Sequence, residues 1–381
     1  MTHRLDELRL DDPAQLRHLD ADGMLRRAAS SAAEIRIAVR AAEESRLDAL
    51  AREGRPRALL LAGSGSAALV GGLLAALLGP GCPVPVSVVT DGRLPGWAGV
   101  DDLVVAVSRT GRTSETLAVA AEAVRRGSRL LAVAASDSPL AALAERSRGA
   151  FVPADAESLP RAALWGLAVP VLVAAARLGV LDSPPEVFEA AAVRLEEVAT
   201  ACRLMAESFV NPAKTLALEL ADTLPVVWGT SALTTVAARR FVGQLAENAK
   251  YPALCGELPD AGHAQIGIFD GPLGSGAWRE RDLFADPPAD GLRGLRLVVL
   301  HDVEEQPHIA AARAAAVRLA EDRGLPVTQL AAQEGHPVTR LAGLIGTFDY
   351  ASAYLALAYG MDPAPTPAAR EFRSEREDRP D

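Results

Sequence analysis

Short runs of β-branched and leucine-rich residues alternate along this chain with longer alanine-rich stretches whose apolar positions recur at helical spacing. Such alternation builds a parallel sheet covered by helices on both faces. In the first half, the runs 57–62 (RALLLA), 85–90 (PVSVVT), 102–108 (DLVVAVS) and 129–135 (RLLAVAA) predict strands, in a domain of about five. Residues 66–78 and 114–126 between them predict helices, and Arg125 and Arg126 suit a helix C-terminus. A long helical zone follows over 161–220, broken at Pro184 and Pro185. The rhythm then restarts, with strands predicted at 224–229, 295–302 and 326–332 and helices at 233–248, 306–323 and 338–360. The fold class is therefore α/β, with two domains of similar plan. Residues 1–180 form the first, with a leading helix, 181–370 the second, and 371–381 a charged tail. A Gly/Pro/Asp-rich stretch, 271–294, is expected to be a surface loop, and the tail after Pro367 is charged enough to be disordered.

Composition narrows the class of partner. The chain has 381 residues, 49% of them hydrophobic, enough for two domains with real cores. Its net charge is −10, from 39 basic and 49 acidic residues, and the basic residues are scattered rather than gathered in a stripe. No nucleic acid is expected as a partner. Cys82, Cys202 and Cys255 lie far apart without any CxxC pairing, which gives neither a disulfide framework nor a zinc site. The first residues, MTHRLDELRLDD, are charged where a signal peptide would be apolar. The run Ala162–Ala176 is interrupted by Pro170 and is shorter than the ~20 residues of a bilayer span. It reads as a buried helix. A cytoplasmic protein with a small-molecule partner and no membrane association is the expectation.

The candidate chemistry lies in residues 104–123, VAVSRTGRTSETLAVAAEAV. Ser108 ends a predicted strand, 110–113 make the turn, and a helix begins near Ser114 with Glu115 in its first turn. Backbone N–H groups, hydroxyls and the positive end of a helix dipole at the carboxyl end of a strand suit a phosphate. The plainer alternative is that Thr113 or Ser114 only caps the helix. A second turn, Gly63-Ser64-Gly65-Ser66, follows the first strand. Read as GxGxxA, with Asp91 as a ribose-binding acid, it would begin a dinucleotide site. A second hydroxyl-rich turn after the third strand favours instead one phosphate shared by Ser66 and the 108–113 turn.

These residues carry a family likeness. SRTGRTSET (108–116) resembles the phosphosugar-binding signature of the SIS (sugar isomerase) superfamily, S-x-S-G-x-T-x-E-T. ESLPRAAL (157–164), LAENAKYPALCGELPDAGHAQIGIFDG (245–271) and GTFDYASAYLALAYGMDPAPTP (346–367) are similar, in order and spacing, to segments of the bifunctional phosphoglucose/phosphomannose isomerases. The resemblance implies two SIS-type domains per chain and a homodimer with composite sites. The implied reaction is the aldose–ketose isomerisation of glucose 6-phosphate and/or mannose 6-phosphate to fructose 6-phosphate, through a cis-enediol and without metal or other cofactor. By the same resemblance, Glu247 is the base, His263 opens the sugar ring from the partner subunit, and Arg161 stabilises the enediolate. Ser66, Ser108, Thr110 and Thr113 hold the phosphate. Gly65, Gly111 and Thr366 line the pocket, with Thr366 near where the family sets its tolerance of the C2 epimer.

The chain also departs from that pattern. Ala264 and Gln265 stand where the family has an Asn-Glu pair, Ser64 replaces a usual glycine, and Arg373 falls where the family has a catalytic lysine. Arginine keeps the charge but cannot donate a proton at neutral pH. These departures motivate an alternative, a catalytically lapsed phosphosugar-binding or regulatory protein. Outside the resemblance, Glu247 reads as a surface ion pair with Lys250. His3, His18, His301, His308 and His336 lack partners at metal spacing, and Tyr350, Tyr354 and Tyr359 read as packing residues on the last helix.

Overall fold

The computed structural model describes residues 4–45, 47–275 and 294–377. Four short helices open the chain: α1 (Pro13–Leu19), α2 (Met24–Ala29), α3 (Ser31–Glu43) and α4 (Leu47–Arg52). A strand-helix alternation follows: β1 (Leu59–Ala62), α5 (Ser66–Leu78), β2 (Val86–Val89), β3 (Leu103–Ser108), α6 (Ser114–Arg125), β4 (Arg129–Ala134), α7 (Pro139–Arg146) and β5 (Ala150–Pro153). The helices α8 (Leu164–Arg177), α9 (Pro185–Ala201) and α10 (Pro212–Leu220) come next. The alternation then resumes as β6 (Leu224–Gly229), α11 (Ala232–Gln244), β7 (Leu254–Glu257), α12 (Ala261–Ala264), β8 (Leu295–His301), α13 (Pro307–Asp322), β9 (Val327–Ala331), α14 (Pro337–Ala358) and α15 (Pro367–Glu377). The predicted α/β class with two parallel sheets flanked by helices holds.

Contacts divide the chain into two compact units, and not by one cut such as the expected 180/181 boundary. The first comprises Ser30–Glu196 with Gly335–Ala342; the second comprises Met1–Ala29, Glu197–Glu334 and Gly343–Asp381. A buried lysine explains why the N-terminal residues belong to the second. Lys214 on α10 is 1% exposed, and its ammonium donates to the carbonyls of Leu10 (2.6 Å), Leu204 (3.0 Å) and Ala206 (2.7 Å). Burial pulls its pKa below the ordinary lysine value, and the three carbonyls compensate the desolvated charge.

In the first unit the sheet order is β2-β1-β3-β4-β5, all parallel, with Ala62 paired to Ala106 and Ser108 to Ala134. The inner strands are buried on both faces, which is why their sequences read as continuous apolar runs. One face packs Leu60, Val104, Ala106 and Ala132 against Val119, Ala120 and Ala123 of α6 and Leu140 and Ala144 of α7. The apolar run 162–176 is the buried helix α8, with Pro170 inside it. The second sheet runs β7-β6-β8-β9, also parallel, and Val226, Trp228, Leu297 and Val299 pack against Ile309, Ala316 and Val317 of α13. Helix α14 is long and apolar enough to cross a membrane by length and composition, but 89% of its most apolar window is buried inside the structure. Tyr350 and Tyr354 on this helix are buried and stacked 6.3 Å apart, and the Tyr354 hydroxyl donates to the Cys202 carbonyl. They are packing residues, as expected.

Two short edge strands, β5 and β7, lie outside the runs named as strands from the sequence, β5 completing the expected five of the first sheet. The tail also differs from expectation: residues 367–377 form a helix rather than a disordered segment. Pro367 at its start and the helix-favouring Ala, Glu and Arg that follow account for it. Of the expected loop 271–294, residues 276–293 lie outside the described residues.

At the amino end of the first sheet, the buried Asp102 accepts from Arg57 Nε (2.9 Å), Arg57 Nη2 (2.6 Å) and the Gly99 amide (2.8 Å). The Arg57 guanidinium holds its carboxyl below the usual carboxylate range, against the opposing effect of burial. A depressed folded-state pKa adds stability above the unfolded pKa of about 4 and loses it as pH falls through the folded value. Asp102→Asn is therefore expected to lower unfolding free energy by roughly 1–3 kcal/mol at pH 7. Denaturant titrations should show this gap closing below about pH 4; a gap constant from pH 7 to 3 would contradict the account.

Candidate functional site

Strands β1 and β3 are neighbours whose connections leave in opposite directions. The chain after β1 returns to β2 on one side, and the chain after β3 returns to β4 on the other. Ligands of open α/β sheets bind at such a switch point, beyond the carboxyl ends of the strands. Both hydroxyl-rich turns lie there. Gly65 precedes α5 with φ +59° and has no atoms within 4 Å of where a side chain would begin, and Ser66 is the first residue of the helix. Across from it, Ser108 ends β3 and is 3% exposed.

Thr113 occupies the N-cap position of α6, but its hydroxyl makes no capping bond to that helix. It pairs instead with the Ser108 hydroxyl at 2.9 Å. The reading of Thr113 as a plain cap is thus overturned: the two hydroxyls are tied together across the turn. Gly111 (φ +64°) closes the turn by donating its amide to the Ser108 carbonyl at 2.8 Å. The β4–α7 turn braces it from below, since a Cβ on Gly111 would lie 2.1 Å from Ser138 Oγ. Ser138 is itself held as the N-cap of α7, accepting from Ala141 N. Thr110 and Arg112 open onto a cleft of about 480 Å³ lined also by Ser136, Asp137 and Asp155, at the carboxyl ends of β4 and β5. A second groove of this unit, about 1480 Å³ and lined by Glu44, Glu53, Arg129 and Arg148, includes none of the predicted phosphate ligands. Arg161 follows β5 in a short 3-10 turn and is 3% exposed. Asp91, the competing ribose acid, accepts from the Arg93 amide in an exposed turn.

The second unit has the same reversal, between β6 and β8, and closes it differently. Ser231 caps α11 in a capping box with Thr234, and its hydroxyl donates to the buried Asp302 carboxylate at 2.9 Å. The other Asp302 oxygen accepts from the Val303 amide. A carboxylate of the chain itself thus faces this helix N-terminus.

The remaining predicted residues stand in this second unit. Glu247 is exposed on a π-helical turn, Leu245–Ala249, that continues α11. Its neighbours are anchored: Gln244 Nε2 donates to Asp349 (2.7 Å), which also receives a bidentate pair from Arg240, and Asn248 Nδ2 donates to Ser352 (2.9 Å). The Lys250 ammonium, read from sequence as an ion-pair partner of Glu247, donates to the carbonyls of Asn248, Asp362 and Pro363. His263 is exposed on α12, beyond β7. Gly256 lets α12 approach, for a Cβ there would lie 2.8 Å from Ala261 Cβ and 2.7 Å from the Trp228 ring. Thr366 is half-buried, and its carbonyl accepts from the Arg370 amide at the start of α15. Arg373 belongs to that helix, with its side chain outside the described residues. His336 is structural: Nε2 faces the Asp182 carbonyl and Nδ1 accepts from the Val338 amide.

Gln265 has a role the sequence did not disclose. Its Oε1 accepts from the Trp228 indole (2.7 Å) and its Nε2 donates to the Cys255 carbonyl (2.9 Å), so both ends of the amide are bonded within the unit's core. A glutamate could accept from Trp228 but would set a carboxylate oxygen against the carbonyl. Gln265→Glu is expected to cost roughly 1–3 kcal/mol of stability at pH 7, read as a lowered denaturation midpoint. Gly111→Ala must both strain a left-handed residue and displace Ser138. We expect it to lower the melting temperature by several degrees, and an unchanged melting temperature would contradict the packing of Ser138 against this turn.

Comparison with known proteins bears on the same segments. Residues 209–375 match the family model of the bacterial phospho-glucose isomerase C-terminal SIS domain. A bifunctional phosphoglucose/phosphomannose isomerase from Caldicellulosiruptor bescii is 28% identical over 295 residues, 77% of this chain and 82% of the relative. Its counterpart from Aquifex aeolicus is 26% identical over 293 residues, 76% and 81% of the two chains. A solved structure of a hypothetical protein from Thermus thermophilus shares the fold, with a TM-score of 0.69 at 18% identity over 96% of this chain and 93% of that one. Residues 209–375 thus match an SIS-domain family, and the chain resembles the bifunctional phosphoglucose/phosphomannose isomerases along most of its length.

Proposed function

We propose that this protein is a phosphosugar isomerase that converts glucose 6-phosphate, mannose 6-phosphate or both to fructose 6-phosphate. The observation that carries the proposal is the Ser108–Thr113 turn at the switch point, where the hydroxyls are bonded to each other and the helix N-terminus goes without a side-chain cap. A phosphate there would accept from hydroxyls and from the α6 amides together. The names of the curated relatives support the reaction class.

The chemistry assigns roles to this chain's residues. Ser66, Ser108, Thr110 and Thr113 hold the phosphate, with Gly65 and Gly111 giving the backbone its close approach. Glu247 removes the C2 proton of the open-chain aldose and returns it at C1 as the C1 carbonyl oxygen is protonated and the C2 hydroxyl becomes the ketone. The intermediate is a cis-enediol, and no metal or cofactor is required. Arg161 stabilises its negative charge, and His263, contributed by the second subunit of a homodimer, opens the ring. Arg373 adds positive charge without donating a proton.

The second reading, a phosphosugar-binding protein without turnover, rests on Arg373. Gln265 no longer favours it, because its amide is bonded to Trp228 and Cys255. A coupled assay for fructose 6-phosphate from each sugar, with and without EDTA, separates the two. Conversion that resists the chelator is expected, and Glu247→Gln should lower kcat by at least about a hundredfold while the sugar still raises Tm. Stabilisation by the sugars without conversion in the wild type would establish the second reading.

A further inference from the structure

Lys250 is a residue of left-handed backbone conformation (φ +54°), and it ends the π-helical turn that carries Glu247. That conformation costs a non-glycine residue about 1–2 kcal/mol. The surroundings hold it there. On one side, Tyr251 donates its amide to the Leu245 carbonyl and its hydroxyl to the Thr223 carbonyl (2.6 Å), with the Leu220 carbonyl 3.2 Å away. On the other, the Lys250 side chain folds back to the Asn248 carbonyl (2.9 Å) and forward to those of Asp362 (3.0 Å) and Pro363 (3.2 Å). The 362–366 segment is itself a tight turn: Asp362 Oδ1 accepts from the Ala364 amide, Pro363 and Ala364 are buried, and the Thr366 carbonyl opens α15. One ammonium therefore joins the Glu247 turn to a segment 112 residues further on.

Three carbonyls around one nitrogen suit the tetrahedral N–H groups of an ammonium. A guanidinium carries its donors in a plane on separate atoms and cannot reproduce that arrangement, although it carries the same charge. The arrangement matters if Glu247 is the base, which is the reading proposed above. Glucose 6-phosphate and mannose 6-phosphate differ only in the face of C2 that bears the proton. A carboxylate at one fixed position serves the two epimers unequally, in proportion set by where it stands relative to the wall of the site. We propose that Lys250 is a positioning residue that fixes the Glu247 turn against the 362–366 segment and thereby sets the relative rates for the two C2 epimers.

The test compares Lys250→Met and Lys250→Arg with the wild type in kcat and KM for each sugar, and in hydrogen exchange of the 362–366 amides. In Lys250→Met, kcat for at least one sugar should fall about 10–100-fold with KM changed much less, and the ratio of the two kcat/KM values should move at least about fivefold. Exchange over 362–366 should quicken. Arginine should not restore the ratio. A merely structural role lowers the active fraction, which reduces both rates equally and leaves the ratio where it was; that outcome overturns the proposal. So does full restoration by arginine, which would make charge the cause, and so does unchanged exchange over 362–366. If the wild type converts neither sugar, or Glu247→Gln converts them as well as the wild type, the functional reading fails first and the proposal falls with it.

Discussion

A parallel sheet whose connections reverse direction leaves two helix N-termini facing one crevice, and their first-turn amides need acceptors that the sheet does not supply. This constraint arises twice in the chain and is met in two ways. In the second unit, the Ser231 hydroxyl accepts from the Thr234 amide in the first turn of α11 and donates in turn to the buried Asp302 carboxylate. In the first, the side chain at the N-cap turns away: the Thr113 hydroxyl bonds to Ser108 and makes no capping bond to α6. The contrast between α6 and α11 is what makes the first sheet the candidate for phosphate. It also explains the glycine at 111, since a turn bonded across Ser108 and Thr113 and braced by Ser138 has no room for a Cβ.

Around the candidate base, which is itself exposed, polar side chains are satisfied by one another or by backbone carbonyls. Gln244 and Arg240 converge on Asp349, Asn248 meets Ser352, and Lys250 reaches across to the 362–363 carbonyls. Arg240, Gln244, Asn248, Asp349 and Ser352 are buried, and a buried network is stiff when every member is paired. A general base benefits from such a setting, because proton transfer depends on heavy-atom distance before it depends on acidity.

How much was legible depended on how far apart in sequence the determining residues lie. Strands β1, β3, β4, β6 and β8 are buried on both faces, so their apolar runs announce them. Strands β5 (AFVP) and β7 (LCGE) are short, lie at sheet edges and contain proline or glycine, and local pattern gives them away much less. The hydroxyl-rich turn after β3 was readable as a turn because its hydroxyls and glycine lie within one short stretch, 108–113. The attachment of Met1–Ala29 to the second unit was not, because it depends on Lys214 meeting Leu10, 204 residues away. Gln265 and Lys250 sat inside quoted motifs, yet their partners, Trp228 and the 362–363 carbonyls, belong to distant segments. Residue type alone pointed to neither set of partners.

The central claim is that a single carboxylate, Glu247, moves a proton between C1 and C2 of a sugar held by its phosphate. Incubation of the wild-type protein with glucose 6-phosphate in deuterium oxide, followed by NMR of the fructose 6-phosphate formed, tests it most directly. The account predicts conversion with solvent deuterium at C1 of the product, from exchange on the base during the enediol's lifetime, and loss of both conversion and label in Glu247→Gln. Binding of the sugar with neither conversion nor label, or label and conversion undiminished without Glu247, would contradict it.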